Sequence, residues 1–497
     1  MVTSSVKTLA PPISNSISPT TMFATDSSIG SFGGGDDIFY AGNGNNTITH
    51  NNASGGDTIT LGNGTNQVLI NNSGDNTITV GTGSNGITLN NSDGYDVITA
   101  SDAQGFADTI AITNGYAETI ATGAGNDVIS ITNSYGYNTV TTGDGQDTVN
   151  ISGYRDQVTM GNGNDTLNVS GDYHGVYTLG NGNDVVSITN SYGYDTLSLG
   201  NGNDSVNING GAHDVITAGS GGFNLTVNNS GDYQTISVSD AAGTSNTVSL
   251  SGGYYDSIGM GDGSEHIAIS NSSGHESISL GDGNDVISIS GGGSDVFTLG
   301  NGNDTISLSN NYGGDTFSLG NGNNTINLGS GSGNDTFTVG DGMNTFTLGS
   351  SVNDTLHVTG QGGVDVMSLT GGTLNIDLTS SSGYNTISIL NQSSSAFGMD
   401  TVHVDFTGHD VVTGSTSSNW TDVLDLSAAH NSSTQTSLYI DIQNANGSWT
   451  ETVVGLTNGT VAHGTAVSGS NLTGEIFTDA AHTHALVDFS HVEKIVY

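Results

Sequence analysis

The segment Gly281–Leu319, GDGNDVISISGGGSDVFTLGNGNDTISLSNNYGGDTFSL, contains one unit written twice. Each copy opens with a Gly-x-Gly-Asn-Asp turn and runs through a short alternating strand. It turns again at a sequence ending Gly-x-Asp or Gly-Asp, then closes with a second alternating strand. The unit spans about 19 residues and returns, with variations, from near Gly35 to near Leu390. A fixed period of this length marks a solenoid: one unit cannot bury its own apolar face, but stacked units can.

In Thr305-Ile306-Ser307-Leu308-Ser309, two large apolar residues alternate with hydroxyl residues. That is the period-2 pattern of a half-buried strand, and Thr316-Phe317-Ser318-Leu319 repeats it. Successive coils supply Ile287, Ile289, Phe297 and Leu299, then Ile306, Leu308, Phe317 and Leu319, then Ile326, Leu328, Phe337 and Val339. Outward positions are mostly Thr, Ser and Asn. Turn glycines permit the positive φ of sharp reversals. The sequence predicts an all-β protein, a parallel β-solenoid of about eighteen coils and about 19 residues per coil. Its coils should stack about 4.8 Å apart, giving a rod on the order of 90 Å long whose open strand edges need capping or pairing.

Asp127, Asp147, Asp165, Asp184, Asp204, Asp285 and Asp304 hold equivalent places in the Gly-x-Gly-x-Asp turn. Stacking brings such carboxylates about 5 Å apart. They then repel by roughly 1 kcal/mol per pair in bulk water and several times that at an effective dielectric near 20. A cation between rungs removes the repulsion. Carboxylates together with turn carbonyls, at Gly125, Gly145, Gly163, Gly182, Gly202, Gly283 and Gly302, form an oxygen-only set. Such a set suits a hard ion, and Ca2+ tolerates the flexible geometry best. Asn46, Asn66, Asn324 and Asn344 replace the acid and predict rungs with weak calcium binding or an Asn ladder.

The pattern resembles the RTX (repeats-in-toxin) calcium-binding β-roll, whose nonapeptide is Gly-Gly-x-Gly-x-Asp-x-U-x with U a large apolar residue. Leu179-Gly180-Asn181-Gly182-Asn183-Asp184-Val185-Val186-Ser187 matches it everywhere but the first position, and the repeats cover about seventy per cent of the chain. The resemblance implies a right-handed parallel roll, calcium between neighbouring turns, folding outside the cell and export by type I secretion machinery. Only alternate turns read Gly-x-Gly-x-Asp; the others read like Asn190-Ser191-Tyr192-Gly193-Tyr194-Asp195. Calcium along one side or along both is compatible with that difference. Asp422-Val423-Leu424-Asp425-Leu426-Ser427 resembles the Asp-x-Leu-Asp-Leu-Ser signature opening type I secretion target domains.

A net charge of −44, with only Lys7, Arg155 and Lys494 as cationic side chains, argues against nucleic acid as a direct partner. Such charge loosens a compact state that lacks counterions. There are no cysteines and no apolar run of membrane-spanning length, so disulfides and direct membrane insertion are not expected.

Residues 1–30 hold all the prolines, Pro11, Pro12 and Pro19, and read as a flexible arm. Residues 31–396 read as the solenoid, with small loops near Ser101–Phe106, Gly219–Phe223 and Ser239–Ser245. Residues 397–497 carry Trp420, Trp449 and seven of the thirteen histidines. They read as a β-rich cap bearing the secretion signal, with strands at Ser437–Ile442, Thr450–Leu456 and Ala485–Val492.

His482 and His484 could share one strand face as metal ligands or simply be a surface pair. Arg155 beside Asp156 reads as a local ion pair. Tyr95, Tyr135, Tyr137, Tyr192, Tyr194, Tyr233 and Tyr312 recur in the second turn, either as a sticky stripe for a sister molecule or sugar, or as stacking within the rod. No zinc-protease, nucleophile-elbow or phosphate-loop motif occurs, so no enzyme activity is expected.

The functional expectation is a secreted, cell-surface or extracellular structural protein. It folds on calcium and self-associates into a surface layer or matrix fibre. The alternative is an adhesin or ice-binding solenoid. Thr82, Thr122 and Thr142 lie in turns, but most equivalent places are Asn or Asp.

Overall fold

The structure, a computed structural model, describes residues 21–24, 28–29, 36–51, 55–72, 74–91, 94–329, 333–349, 353–359, 364–371, 374–378, 384–390, 401–403, 409–414, 423–426, 437–443, 449–457, 460–461, 467–477, 482 and 485–496. All their regular structure is strand, in a parallel solenoid of about 16 turns with coils of about 20 residues. None of the described residues forms a helix long and apolar enough to cross a membrane. The chain divides into two compact units, Met1–Asp240 with Val248–Leu250, and Ala241–Thr247 with Ser251–Tyr497.

Each coil has two strands and two turns. In the first unit one face is built from strands such as Thr109–Thr113, Val128–Thr132 and Thr148–Ser152, each paired in parallel with the next. The opposite face is built from shorter strands such as Thr119–Ala121, Thr139–Thr141 and Gln157–Thr159. These are called the first and second faces below. The Gly-x-Gly-x-Asp turns lead from the second face to the first and form a glycine edge. The other turns form a tyrosine edge.

Every large residue named for the core of Gly281–Val339 is buried. Columns form because parallel in-register pairing repeats one side chain per rung. Phe297, Phe317 and Phe337 stack with ring centroids 4.8 and 4.7 Å apart. Ser101–Phe106 is a loop, and so is Ser239–Thr244, with Ser245 opening the next strand, Ser245–Gly252. Gly219–Phe223 instead closes in an ordinary turn, and Phe223 is buried as a strand residue.

Thr21–Ala24 and Ser28–Ile29, within the stretch whose composition suggests an arm, are strands pairing in parallel with Ile38–Ala41 and Thr47–Asn51. They cover what would be an open first edge. Toward the other end, parallel pairing continues through Thr401–His403, His409–Thr413 and Val423–Asp425. Antiparallel order begins at Ser437–Gln443. Ala485–Val496 pairs in parallel with both His409–Thr413 and Val423–Asp425, and antiparallel with Val467–Phe477. One strand thus closes both columns with an antiparallel layer. In the secretion-like hexapeptide, Leu424 and Leu426 are buried in this closure; Asp422 and Ser427 lie outside the described residues. His482 stacks on Phe477 at 4.7 Å, and His484 lies outside the described residues.

Candidate cation ladders

The aligned acids point inward. Asp127, Asp147, Asp165, Asp184, Asp204, Asp285 and Asp304 are all buried. Each of them accepts, through Oδ1, the backbone N–H of its counterpart one coil earlier. Asp108 donates to Asp127 at 2.8 Å, Asp127 to Asp147 at 2.8 Å, Asp147 to Asp165 at 2.9 Å, Asp165 to Asp184 at 2.9 Å and Asp184 to Asp204 at 3.0 Å. In the second unit Glu265 donates to Asp285 at 2.9 Å and Asp285 to Asp304 at 3.1 Å. The side chain therefore satisfies a turn N–H that no sheet partner reaches.

The asparagine rungs reveal what surrounds the other oxygen. Asn46 Nδ2 donates to Gly42 O at 3.1 Å, to Gly44 O at 3.2 Å and to Asn66 Oδ1 at 2.8 Å. Asn66 repeats the pattern on Gly62, Gly64 and Asn85, and Asn85 on Gly81, Gly83 and Asp108. An amide nitrogen thus sits among three oxygens. In an aspartate rung Oδ2 takes that place and an acceptor meets acceptors. Accordingly, Oδ2 of Asp127, Asp147, Asp165, Asp184 and Asp304 is buried with no hydrogen-bond partner. Either a proton or a cation completes such a rung. The equivalent carbonyls belong to the residues two and four before each acid, so Gly125, Gly145, Gly163, Gly182, Gly202, Gly283 and Gly302 hold the nearer position.

Those glycines have a steric reason too. A Cβ on Gly163 would overlap Gly145 O, and one on Gly302 would overlap Gly283 O. Burial pushes the Asp165 carboxyl up to about 7 and those of Asp204 and Asp304 up to about 6. Asp147 and Asp184 move upward for the same reason.

Two features of this edge were not apparent from the sequence. The loop Ser101–Ala107 delivers Asp102 beside Asp108 and Asp127, with one carboxylate oxygen of each within 4.8 Å of the others. Burial, then Asp127 and Asp108, raise Asp102 to about 7. Neither Asp102 nor Asp108 stands in a Gly-x-Gly turn, which hides them from a motif reading. In addition, the x residues form outer ladders. Asn162 donates to Asp144 Oδ1, Asn181 to Asn162 Oδ1 and Asn201 to Asn181 Oδ1 through both backbone and side-chain nitrogens. This explains the spelling Gly-Asn-Gly-Asn-Asp.

The tyrosine edge carries a second buried row, including Asp57, Asp96, Glu118, Asp156, Asp195, Asp214, Asp295 and Asp315. The same backbone bond recurs there, from Asp195 N to Asp214 Oδ1 and from Asp295 N to Asp315 Oδ1. Its completion is mixed: Oδ2 of Asp156 and Asp295 is buried without a hydrogen-bond partner, as on the glycine edge, whereas at other rungs a hydroxyl four or five residues away donates to the acid. Ser191 donates to Asp195 at 2.7 Å, Ser272 to Glu276 at 2.6 Å and Tyr177 to Asp172. Burial raises Glu118 and Asp295 to about 9 and Asp172 to about 8. Near the first coils His50, in register with Ile70 of the core column, is buried between two of these acids. Its Nδ1 lies 2.6 Å from Asp57 Oδ2 and its Nε2 3.7 Å from Asp37 Oδ2.

Outside this row the tyrosines stack on one another and on histidines. Tyr95, Tyr116 and Tyr137 meet edge to face at 5.4 and 5.9 Å. Tyr194, His213 and Tyr233 stack at 4.6 and 4.9 Å. Tyr137, His174, Tyr194, His213 and Tyr233 all have positive φ near 60°, a conformation that costs about 1 kcal/mol per residue outside glycine. Lateral ring contacts offset it. Arg155 lies over the Tyr137 ring at 5.8 Å, while Asp156 turns inward to accept from Asn138; the pair adjacent in sequence is separated by the wall. His213→Ala should lower stability by about 1 kcal/mol through loss of two stacks, measured by calcium-saturated denaturant unfolding.

A parallel β-solenoid with two inward acid ladders is compatible with an RTX-like β-roll. No family model, curated protein or solved structure matches the chain.

Proposed function

We propose that the chain is a secreted, RTX-like calcium-binding structural protein that folds on calcium and assembles into a surface layer or extracellular matrix fibre. The observation that carries the calcium reading is the exchange of Asn for Asp at equivalent rungs. An amide hydrogen fills the space in one case, and in the other an orphaned oxygen faces oxygens. Carboxylate and carbonyl donors suit a hard divalent ion. Adjacent carboxylates otherwise repel by about 3 kcal/mol per pair at an effective dielectric near 20. In this reading the ions line the glycine edge, held by Asp127, Asp147, Asp165, Asp184, Asp204, Asp285 and Asp304 with the turn carbonyls, and by the Asp102, Asp108 and Asp127 cluster. On the tyrosine edge Asp172, Asp195 and Glu276 close by hydroxyl hydrogen bonds, and rungs with an orphaned oxygen, such as Asp156 and Asp295, close by protonation.

Assembly rests on the polar outer faces and on exposed acids of the glycine edge, such as Asp144, Asp262 and Asp282, which calcium can bridge between molecules. Calcium-rich surroundings outside a cell and a type I export route complete the picture. The role requires no catalytic group.

The test is Asp165→Asn. The variant should bind fewer calcium ions by titration calorimetry. It should also gain about 1 kcal/mol of stability in chelator, because an amide donor replaces an unpartnered acceptor. Unchanged stoichiometry removes Asp165 from the metal set. For assembly, electron microscopy with and without millimolar calcium decides: dispersed monomers in both conditions refute a lattice or fibre.

A further inference from the structure

Thr82, Thr122 and Thr142 do not form a common outward row, since Thr82 is exposed and Thr142 is buried. The ordered threonines lie instead on the second face of the first unit. Ten strands from Thr58–Leu61 to Thr235–Val238 pair in parallel. None of these pairings has a register shift, whereas the first face carries one between Thr189 and Ser191. Each strand presents two outward positions, two residues apart. One column includes Thr60, Thr79, Thr99, Thr141, Thr159 and Thr178; the other holds Thr58, Thr77, Thr119, Thr139, Thr196 and Thr235. Where threonine is absent, Val, Ser, Ala or Gln stands, as at Val97, Ser198, Ala121 and Gln157. No charged or aromatic residue points out of these ten strands, in a chain of net charge −44.

Rungs about 4.8 Å apart and columns about 6.6 Å apart make a nearly rectangular net of hydroxyl and methyl groups, roughly 43 Å long over ten rungs. The χ1 stiffness of β-branched side chains keeps such a net regular. The first face lacks this order: Leu69, Ala111, Asn150 and Asn168 interrupt its outward positions. Strand propensity alone would enrich threonine on both faces; only one face carries the paired columns.

We infer that the second face of the first unit is an ice-binding surface, with Thr60, Thr79, Thr99, Thr141, Thr159 and Thr178 forming one rank of the contact. The occupant follows from charge and repeat. Charged groups impose their own hydration shells on water, and this face has none. The oxygen net on the prism faces of ice repeats on lengths close to these two, so threonine methyls and hydroxyls can template and hold ordered water over several adjoining rungs. A polysaccharide would be met by aromatic ring faces, which these outward positions lack. The inference needs the fold alone and does not depend on which cation lines the glycine edge.

The experiment compares full-length calcium-treated protein with Thr79→Tyr/Thr141→Tyr on the second face and Thr88→Tyr/Asn150→Tyr on the first. Circular dichroism confirms that all three hold their strand content. Thermal hysteresis, ice-crystal shaping and partition into growing ice are read for each. The parent and the first-face variant should shape ice and enter it, and the second-face variant should lose most of both activities. A parent without hysteresis or ice uptake overturns the inference, as does equal loss in both variants. Binding to crystalline chitin or cellulose without effect on ice also overturns it, as does a dimer, seen by sedimentation, that only the second-face variant breaks.

Discussion

In chelator at pH 8 and low ionic strength, the chain should lose most of its strand signal by circular dichroism, and millimolar calcium should restore it. The expectation rests on the cost of the buried acid rows. Burial raises Glu118 and Asp295 to about 9, Asp172 to about 8, and Asp214 and Asp315 to about 7. Raised carboxyl values mean that the folded chain binds more protons than the unfolded one between about pH 4 and those values. Stability is then fully present below the unfolded value and is lost as pH rises through 7 to 9. Apo protein should therefore keep more structure at pH 5 than at pH 8. In the proposed reading calcium would take the place of the protons on the glycine-edge acids, Asp165 raised to about 7 and Asp204 and Asp304 raised to about 6, so binding should release protons and strengthen as pH rises. With calcium saturating, a residual loss of stability from pH 6 to pH 9 should remain, and it reports the tyrosine edge. Full strand content in chelator at pH 8 would remove the cation from the account.

Gly163→Ala should cost about 3 kcal/mol, the upper range for forced overpacking, whereas Gly42→Ala should stay within about 0.5 kcal/mol of the parent. A Cβ on Gly163 collides with the carbonyl oxygen of Gly145 in the neighbouring coil, and that carbonyl cannot retreat without breaking the stack. Gly42 has nothing within 4 Å of its would-be Cβ. Denaturant unfolding in calcium measures both. Equal effects would mean that the coils are not held at backbone contact along the glycine edge.

The sequence carries the core almost completely. Ile287 through Val339 are buried where alternation places them, because a period of two leaves no choice of face. The alignment of Asp127 to Asp304 is equally legible, since the Gly-x-Gly turn fixes the spacing. Their inward direction is not, because alternation rules stop at the strand end and the Oδ1 bond to the preceding coil is a contact across about 20 residues. The acids that end the second turn, such as Asp195, are visible in the sequence, but their union into one buried row is not, because those turns vary in length and spelling; Asp156, Asp195 and Asp295 are nonetheless buried like Asp165. Asp102 reaches its cluster from a loop, which no periodicity foretells. The threonine columns are present in the sequence, but their order appears only when register sets one strand beside the next.

The amide rungs also have a bearing on how the fold begins. Asn46, Asn66 and Asn85 complete their own turns by donating amide hydrogens to turn carbonyls, and Asn324 donates to the next rung at Asn344. Segments containing them can order without waiting for an ion. Each offers the adjoining acidic stretch a ready template, so that, if the acid rungs take up cations as proposed, structure would zip outward from these pre-set seeds as ions arrive.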